Sequence, residues 1–223
     1  MNTIVYLIRH SVKLKNNYIE EYNSSQSNTV RDEKIILSSE GEKRAEILSN
    51  EKELQNLDVI YASNCVRTLQ TAKYIMEKQN LKVNIDERFD ERRVGQPNDG
   101  TIKDWFTRQH IDENFRTEGG ESQKDVRERF SKAFYEVLEK NKGKRIAIFS
   151  HGYAISFFLL KWCELLEVDE TRKRKMSFNN KIVLDKRLNA PEVFKLEINE
   201  ENEVIDIQNI EFDDLQNKDD IGK

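Results

Sequence analysis

Short apolar runs alternate along the chain with longer segments in which apolar residues recur at helical spacing. Residues 3–8 (TIVYLI) are apolar and β-branched, which is typical of a buried strand, and residues 145–150 (RIAIFS) repeat that pattern. The polar stretch from Ser11 to Lys34 predicts a long loop. The remaining pattern predicts strands at 57–61, 81–85, 181–184, 192–198 and 203–209, and helices from Ser38 or Ser39 to about Leu54 and over 64–79, 121–141 and 153–166.

Strands and helices alternate through most of this predicted order. Such alternation predicts an α/β fold, a three-layer sandwich in which a mostly parallel central sheet carries helices on both faces. Neither an internal repeat nor a long low-complexity linker divides the 223 residues. A single domain over residues 1–223 is therefore expected.

The composition is polar for a folded protein: 37% of the residues are hydrophobic, 35% are charged, and the formal net charge is −4. This balance predicts neither a nucleic-acid nor a membrane partner, and an anionic substrate would need a local cluster of arginines. The apolar run at the N-terminus is too short for a signal peptide or a spanning helix, which favours a soluble, cytoplasmic protein. Cys65 and Cys163 lack metal-type spacing and are expected to be reduced, packed thiols. The pattern indicates no oligomeric state.

Two of the three histidines follow directly on predicted strands. His10 comes after the first predicted strand and next to Arg9. His151 comes after the strand predicted at 145–150 and before Gly152. Ligands bind at the carboxyl ends of strands in open α/β sheets, which is where both histidines are expected. A lone histidine there is more often structural, but two with neighbours suited to phosphate favour a catalytic role. His110 lacks such neighbours and is expected to be structural or exposed.

Six short motifs occur in an order that indicates a family. LIRHS at 7–11 resembles the L-x-R-H-G signature of the histidine phosphatase superfamily, the phosphoglycerate-mutase-like group. The other segments that resemble blocks of this family are LSSEGEKRA at 37–45, ASNCVRTLQTA at 62–72, FDERRVG at 89–95, GGES at 119–122 and FSHG at 149–152. Each block is weak alone, but the ordered set covers most of the chain and is highly specific. The family fold is a mixed α/β sheet with helices on both faces, which agrees with the pattern above.

The resemblance implies a reaction through a phosphohistidine. It places the nucleophile at His10, because a neutral imidazole supplies the lone pair that attack on phosphorus requires. Arg9 and Arg67 would disfavour the charged form of this imidazole and bind phosphate oxygens through forked hydrogen bonds. By the same resemblance, His151 would donate a further hydrogen bond to the phosphoryl group.

The family pattern implies further roles for polar residues around these four. It places a general acid and base at Glu91, with the adjacent Asp90 as an alternative one position away. Asn16, six residues after the nucleophile, has the spacing of an asparagine that contacts phosphate in the mutase branch. Ser63 opens the arginine block and is expected to brace its loop. The resemblance implies a small phosphorylated substrate, no cofactor and no metal.

Two segments outside the motifs are candidates for contact with the substrate. The family places substrate-selecting insertions near 96–120, so this charged and turn-rich segment is expected to be a cap-like insertion. The basic run TRKRK at 171–175 is expected to be a solvated loop more often than a partner surface. It would help to steer an anionic substrate if it folded over the pocket.

The sequence therefore predicts a phosphomonoester phosphatase that acts through a phosphohistidine on His10, with Glu91 as general acid and base. Departures from the mutase pattern favour this function: SVK at 11–13 replaces the family's Gly-Glu-Thr run, and YAISFF at 153–158 differs from the usual mutase segment. Two alternatives stay open. One is a phosphoglycerate mutase of the same fold, and the other is a catalytically inactive relative that binds phosphorylated ligands or protein.

Overall fold

The structure is a computed structural model that describes residues 1–15, 32–96 and 100–215. Nine strands and five α-helices lie wholly within these ranges. The strands are β1 (Thr3–Arg9), β2 (Val59–Ala62), β3 (Val83–Ile85), β4 (Arg145–Ser150), β5 (Glu164–Val168), β6 (Arg174–Phe178), β7 (Lys181–Lys186), β8 (Glu192–Ile198) and β9 (Val204–Ile210). The helices are α1 (Ser39–Leu48), α2 (Val66–Gln79), α3 (Trp105–Ile111), α4 (Gln123–Lys140) and α5 (Gly152–Leu159).

Six of these strands form the central sheet, in the order β3–β2–β4–β1–β8–β9. The first four are mutually parallel, whereas β8 and β9 each pair antiparallel with the preceding strand in this order. In the pairing of β1 with β4, Arg9 lies opposite Ser150. His10 and His151 therefore leave the sheet at the same edge, because each follows its strand by one residue. The mostly parallel sheet predicted from the sequence is confirmed.

The central strand β1 contributes side chains to two separate hydrophobic cores. Val5 and Leu7 pack on the face that α4 and α5 cover, whereas Tyr6 and Ile8 pack on the face that α1 and α2 cover. This division follows from the strand period of two, which points successive side chains to opposite faces. The predicted three-layer sandwich is confirmed, with apolar contacts on both sides of the sheet.

The first helix is shorter than the sequence predicts. Helix α1 ends at Leu48 rather than near Leu54, and Lys52–Leu54 forms a separate 3₁₀ turn. The hydroxyl of Ser49 donates to the Glu46 carbonyl at 2.6 Å, so it satisfies a carbonyl of the last helical turn locally. The chain can then leave the helix direction without an unpaired carbonyl at that position.

The prediction of one helix over 153–166 is wrong in its second half. Helix α5 ends at Leu159, and Glu164–Val168 is strand β5 of a second, antiparallel sheet in the order β5–β6–β7. The apolar run continues past the end of α5, so periodicity alone does not separate the two elements. Pairing with β6 supplies backbone partners for β5, and Leu165 lies opposite the buried Met176.

Helix α3 lies in the segment 96–120 and packs against α5. The Phe106 and Tyr153 rings are 5.7 Å apart, and the His110 and Phe157 rings are 5.1 Å apart. The backbone N–H groups of Phe106 and Thr107 donate to the Glu170 carboxylate, which joins α3 to the turn between β5 and β6. The second sheet and α3 therefore meet beside the start of α5.

None of the helices in residues 1–15, 32–96 and 100–215 combines the length and the apolar character needed to cross a membrane.

Candidate active site

A cavity of about 140 Å³ lies where β1 and β4 end. Four of the residues singled out in the sequence line it: Arg9, His10, Arg67 and Glu91. His151 is fully buried next to the cavity, with its ring centroid 5.2 Å from that of His10. Residues from four separate parts of the sequence thus come together at the edge of the sheet.

The backbone carbonyl of the next residue holds His10 in one tautomer. Its Nδ1 lies 2.7 Å from the carbonyl oxygen of Ser11. A carbonyl oxygen only accepts, so Nδ1 carries the hydrogen and Nε2 of the neutral ring carries the lone pair. Burial of the ring, together with the charges of Arg67 and Arg9, holds the pKa of His10 well below its usual range. The imidazole is therefore neutral at pH 7, with its lone pair on Nε2.

His151 is held in the opposite tautomer by two side chains. Its Nδ1 accepts from an Nη2 hydrogen of Arg67 at 3.0 Å, because a guanidinium group only donates. Its Nε2 therefore carries the hydrogen, which it donates to the Ser63 hydroxyl at 2.8 Å. Burial first, then the charge of Arg67, holds the pKa of His151 well below its usual range. In this state both ring nitrogens of His151 are engaged by the protein.

The guanidinium group of Arg67 is engaged by a carboxylate as well as by His151. Its Nη2 lies 2.8 Å from Asp32 Oδ2, and its Nη1 donates to the Asp32 carbonyl at 2.5 Å. The arginine is 2% exposed, whereas Asp32 is 45% exposed at the rim of the cavity. The Asp32 carboxylate therefore binds a guanidinium group whose geometry suits a phosphate group equally well.

The guanidinium group of Arg9 is held by backbone carbonyl groups that lie just before strand β8. Its Nη1 donates to the carbonyl oxygens of Leu188 and Asn189, both at 2.8 Å. Gly152 lies against it, and a Cβ at this glycine would come within 3.3 Å of Arg9 Nε. The glycine of the second histidine block therefore leaves room for the arginine of the first.

Glu91 lines the same cavity as His10, and its carboxylate is held by the start of α5. Its Oε1 accepts from the backbone N–H groups of Arg92 and Ala154 at 2.9 and 3.0 Å, and its Oε2 accepts from Tyr153 N at 3.3 Å. These bonds satisfy orphan N–H groups of the first helical turn and fix the direction of the carboxylate. Both the helix start and the cavity wall therefore depend on Glu91.

The adjacent Asp90 points to a different place. It accepts from Asn64 N at 3.0 Å and lines a second cavity of about 970 Å³. Burial raises the pKa of Asp90 to about 7. Glu91 lines both cavities, whereas Asp90 lines only the larger one.

The sequence matches the family model of the histidine phosphatase superfamily, branch 1, over residues 5–187. This chain belongs to the histidine phosphatase superfamily. The motif resemblance is thereby confirmed. The arginines, the histidines and the carboxylates described above all fall within the matched range.

Two curated relatives of this histidine phosphatase chain carry different activity names. Phosphoserine phosphatase 1 of Hydrogenobacter thermophilus is 30% identical over 141 residues, which is 60% of this chain and 65% of that relative. A probable phosphoglycerate mutase of Yersinia enterocolitica is 27% identical over 184 residues, which is 79% of this chain and 80% of that relative. The alignment thus spans slightly less than two thirds of the first relative's length.

Solved structures with the same fold include a mycobacterial glucosyl-3-phosphoglycerate phosphatase, with a TM-score of 0.61 and 18% identity over 94% of this chain and 97% of that one. A mutant phosphoserine phosphatase from Entamoeba histolytica in complex with phosphoserine has a TM-score of 0.63 and 18% identity, covering 92% of this chain and 96% of that one. At these identities the likeness concerns the fold.

Asn16, the remaining site candidate from the sequence, lies outside the described residues. Ser63, expected to brace its loop, contacts His151 directly and also lies 2.8 Å from the Thr68 hydroxyl. Its position in the arginine block was a signal for a supporting role, but the partner was not visible in the sequence.

Three residues of this histidine phosphatase chain offer atoms that a metal ion could use. Ligand atoms of Cys65, Asp90 and His151 lie within 4.8 Å of one another. Burial raises the pKa of the Cys65 thiol to about 12, which opposes the thiolate form that binds metals. Both nitrogens of His151 are already hydrogen-bonded, one of them to the cationic Arg67. The local chemistry therefore disfavours a cation at this cluster, and a metal-free reaction stays a prediction.

The basic run at 171–175 lies closer to the candidate site than the sequence predicts. Arg172 and Arg174 both line the cavity, and Arg174 is 4% exposed within β6. The expectation of a solvated loop is wrong for Arg174, because the antiparallel pairing of β5 and β6 turns its side chain inward. The run of basic residues was the available signal, and only the strand assignment shows which of them is buried.

His110 is buried and makes two hydrogen bonds. Its Nδ1 donates to the Phe106 carbonyl at 2.9 Å, and its Nε2 accepts from Arg174 Nε at 3.0 Å. The ring therefore supports Arg174 from behind the cavity wall.

Proposed function

We propose that this histidine phosphatase chain is a phosphomonoesterase that acts through a phosphohistidine intermediate on His10. The observation that carries the proposal is the fixed tautomer of His10. Its Nδ1–H is held by the Ser11 carbonyl, which leaves a lone pair on Nε2 in a cavity that Arg9 and Arg67 also line. A small phosphorylated substrate fits the volume and the positive charge of this cavity.

In the first step, Nε2 of His10 attacks phosphorus and forms the P–N bond. The P–O ester bond breaks, and its electron pair leaves on the alkoxide oxygen, which takes a proton from Glu91. Arg9 and Arg67 stabilise the charge on the equatorial oxygens during this transfer. The direction that α5 imposes on the Glu91 carboxylate supports this assignment.

In the second step, water attacks the phosphohistidine and gives a proton to the Glu91 carboxylate. The P–N bond breaks, its electron pair returns to Nε2, and phosphate leaves. The reaction is balanced by the substrate and one water, and it requires no cofactor.

Binding of the phosphoryl group requires a change of partner at Arg67. Two phosphoryl oxygens would replace the backbone and side-chain oxygens of Asp32, which now occupy both ends of the guanidinium fork. The exposure of Asp32 gives it a route outward into water. In this proposal, Arg67 exchanges its ion pair with Asp32 for hydrogen bonds to the phosphoryl group of the substrate.

The test is phosphate release from an aryl phosphate by the full chain and by the His10→Ala variant, with and without a chelator. We expect chelator-resistant turnover that the substitution lowers by about 10³-fold or more, because the nucleophile is lost. Rapid quenching with labelled substrate should trap acid-labile label on the wild type alone. Turnover by a correctly folded His10→Ala variant at the wild-type rate would exclude the mechanism.

A mutase is the second candidate, because the relative from Yersinia enterocolitica that aligns over 79% of this chain is named a probable phosphoglycerate mutase. Isomerisation of a phosphoglycerate faster than release of phosphate would favour that function. A correctly folded wild type without either activity would favour an inactive relative that binds phosphorylated ligands.

The choice between Glu91 and Asp90 is tested with matched amide variants and two leaving groups. Glu91→Gln should lower the rate about 10²- to 10⁴-fold with an alkyl phosphate and much less with an aryl phosphate, whose leaving group needs little protonation. Asp90→Asn should change both rates similarly and weakly, because Asp90 lies outside the cavity that His10 lines. A leaving-group effect in Asp90→Asn alone would reverse the assignment.

We also propose that the segment 96–120 forms part of a cap in a single domain. Support comes from Phe106, which lines the cavity, and from the hydrogen bonds that join α3 to Glu170. Deletion of such a cap would be expected to broaden the range of accepted phosphomonoesters.

A further inference from the structure

Arg174 is a buried arginine without a carboxylate partner. Its side chain is 4% exposed, and its hydrogen bonds run from Nε to His110 Nε2 at 3.0 Å and from Nη1 to the Arg172 carbonyl at 3.3 Å. Within the part of the chain that the structure describes, no carboxylate oxygen lies within 4.0 Å of its guanidinium. Burial of an unpaired charge is costly, so a fold that keeps Arg174 here needs a compensating anion.

Aromatic rings and the cavity surround this guanidinium group. The Phe106 ring centroid is 4.6 Å from Arg174 Cζ, and the Tyr153 centroid is 5.7 Å away. These contacts offset part of the cost of burial without neutralising the charge. Burial lowers the pKa of Arg174 to about 10, which still leaves it cationic at pH 7. The side chain lines the cavity, so an anion bound there would complete its environment.

The described lining of the cavity carries more positive charge than one phosphoryl group needs. Six of its side chains are arginine or lysine and two are carboxylates, Asp32 and Glu91. A phosphomonoester carries close to two negative charges at pH 7, which offsets about half of the excess. Arg172 and Arg174 also come from the β5–β6 turn and β6, whereas Arg9 and Arg67 come from the central sheet and α2.

We propose that the substrate carries a second anionic group, a carboxylate or a second phosphate, and that Arg174 and Arg172 bind it while the ester phosphoryl group lies at His10. The proposal rests on the proposed phosphatase function and names its substrate class. Arg172, Arg174 and His10 line the same cavity, so this class is restricted to molecules whose two anionic groups fit within one site. His110 acts as a positioning residue, because its neutral Nε2 orients the guanidinium.

The experiment compares substrates that differ only in the second anionic group. Phosphoserine is matched with phosphoethanolamine, which lacks the carboxylate, and 3-phosphoglycerate is matched with glycerol 3-phosphate. Propane-1,3-diol bisphosphate is matched with its monophosphate to test a second phosphate. We expect kcat/KM to be at least about tenfold higher for the member with the second anionic group in at least one pair, and the pairs distinguish a carboxylate from a phosphate.

Two variants assign this preference to the arginines. Arg174→Gln should lower the preference ratio about tenfold or more, chiefly through KM. Arg172→Asn should lower it less. This variant should keep the fold, since Arg172 is exposed and asparagine tolerates the left-handed backbone at this position, where φ is 70°. The matched control is Lys175→Met in the same strand, which removes one positive charge that pairs with Asp185 outside the cavity. It should keep the wild-type ratio.

The outcomes separate the two proposals. Equal kcat/KM within all three pairs, with clear phosphate release, would overturn the second anionic site and leave the phosphatase intact. A wild-type preference that both arginine variants retain would also overturn it. No phosphate release from any compound by a correctly folded wild type would overturn the phosphatase function itself. If Arg174→Gln does not fold, the Arg172→Asn ratio decides.

Discussion

His10 and His151 are in opposite tautomers, with hydrogen on Nδ1 in His10 and on Nε2 in His151. The hydrogen-bond partners of each ring set its tautomer. A backbone carbonyl holds hydrogen on Nδ1 of His10, whereas the Arg67 guanidinium keeps hydrogen off Nδ1 of His151. The two rings therefore carry their hydrogen on different nitrogens, although both are neutral. A partner that can only donate or only accept decides which ring nitrogen carries the hydrogen. Substitution of a partner should therefore alter the reactivity of the site without a change in either histidine.

Ser63 is the residue at which we expect this effect. Ser63→Ala removes the acceptor of the buried His151 Nε2–H, which costs about 1–3 kcal/mol of unfolding free energy. A displaced or reversed His151 ring should lower kcat roughly 10- to 100-fold with a smaller change in KM, because it perturbs the transition state more than binding. Steady-state kinetics with an aryl phosphate and urea unfolding measure both effects.

Ser156→Ala is the matched control for Ser63→Ala. Ser156 is equally buried, but its hydroxyl donates to the Gly152 carbonyl at 2.7 Å within α5 and does not contact His151. This variant should retain wild-type kcat. An unchanged kcat in Ser63→Ala would show that Ser63 does not position His151.

At the scale of elements, the loop after β1 depends on close contact with α1. A Cβ at Gly41 would lie 2.0 Å from the carbonyl oxygen of Val12, two residues beyond His10. The Ser38 N–H, at the start of the same helix, donates to that carbonyl at 2.9 Å. Backbone contact therefore requires the glycine of the LSSEGEKRA block, which packs against the chain two residues beyond His10.

Gly41→Ala should destabilise the protein although it places a better helix former in α1. An exposed helix would gain about 1 kcal/mol from this change, whereas the clash with Val12 should cost about 1–3 kcal/mol. Displacement of the loop should also lower kcat/KM. Urea unfolding and aryl phosphate kinetics check the prediction, with the exposed Lys43→Ala in the same helix as control. A stabilised and fully active Gly41→Ala variant would contradict it.

The β5–β6 turn is the other element on which the site depends. It places Arg172 and Arg174 at the cavity, and Glu170 in the same turn accepts from two N–H groups of α3. The second sheet and α3 therefore line the cavity together, through Arg174 and Phe106. Changes in either element are expected to act on substrate choice more than on the chemistry at His10.

At the scale of the whole molecule, buried neutral histidines should make stability depend on pH. Burial is the first cause that holds the pKa of His10, His110 and His151 well below the usual range. Below about pH 6.5 the unfolded chain takes up protons at these residues and the folded chain does not, so the free energy of unfolding falls on acidification. Asp90 acts in the opposite sense, because its pKa of about 7 keeps it protonated in the folded state.

The net expectation is a fall of about 2 kcal/mol per pH unit between pH 6 and pH 5, since three histidines outweigh one carboxyl group. Urea unfolding at pH 7.5, 6.0 and 5.0 measures it. Asp90→Asn should be more stable than the wild type at pH 7.5, and its stability should fall more steeply on acidification. A free energy of unfolding that is constant or rises on acidification would contradict the prediction.

Local sequence patterns are enough to predict the layers of the fold and most of the candidate site. Strand patterns and the motif order place His10 and His151 at the ends of two strands, because these signals are local and need only neighbouring residues. The family motifs likewise indicate Arg9, Arg67 and Glu91. The family and the sandwich fold are confirmed, and the roles of these residues stay predictions.

Only the tertiary structure decided which partners these residues have. Asp32 lies 35 positions from Arg67, Ser63 lies 88 positions from His151, and His110 lies 64 positions from Arg174. Such contacts depend on how distant elements pack, and no local periodicity encodes them. The same reason explains β5: its residues continue an apolar helical pattern, and pairing with β6 decides that they form a strand.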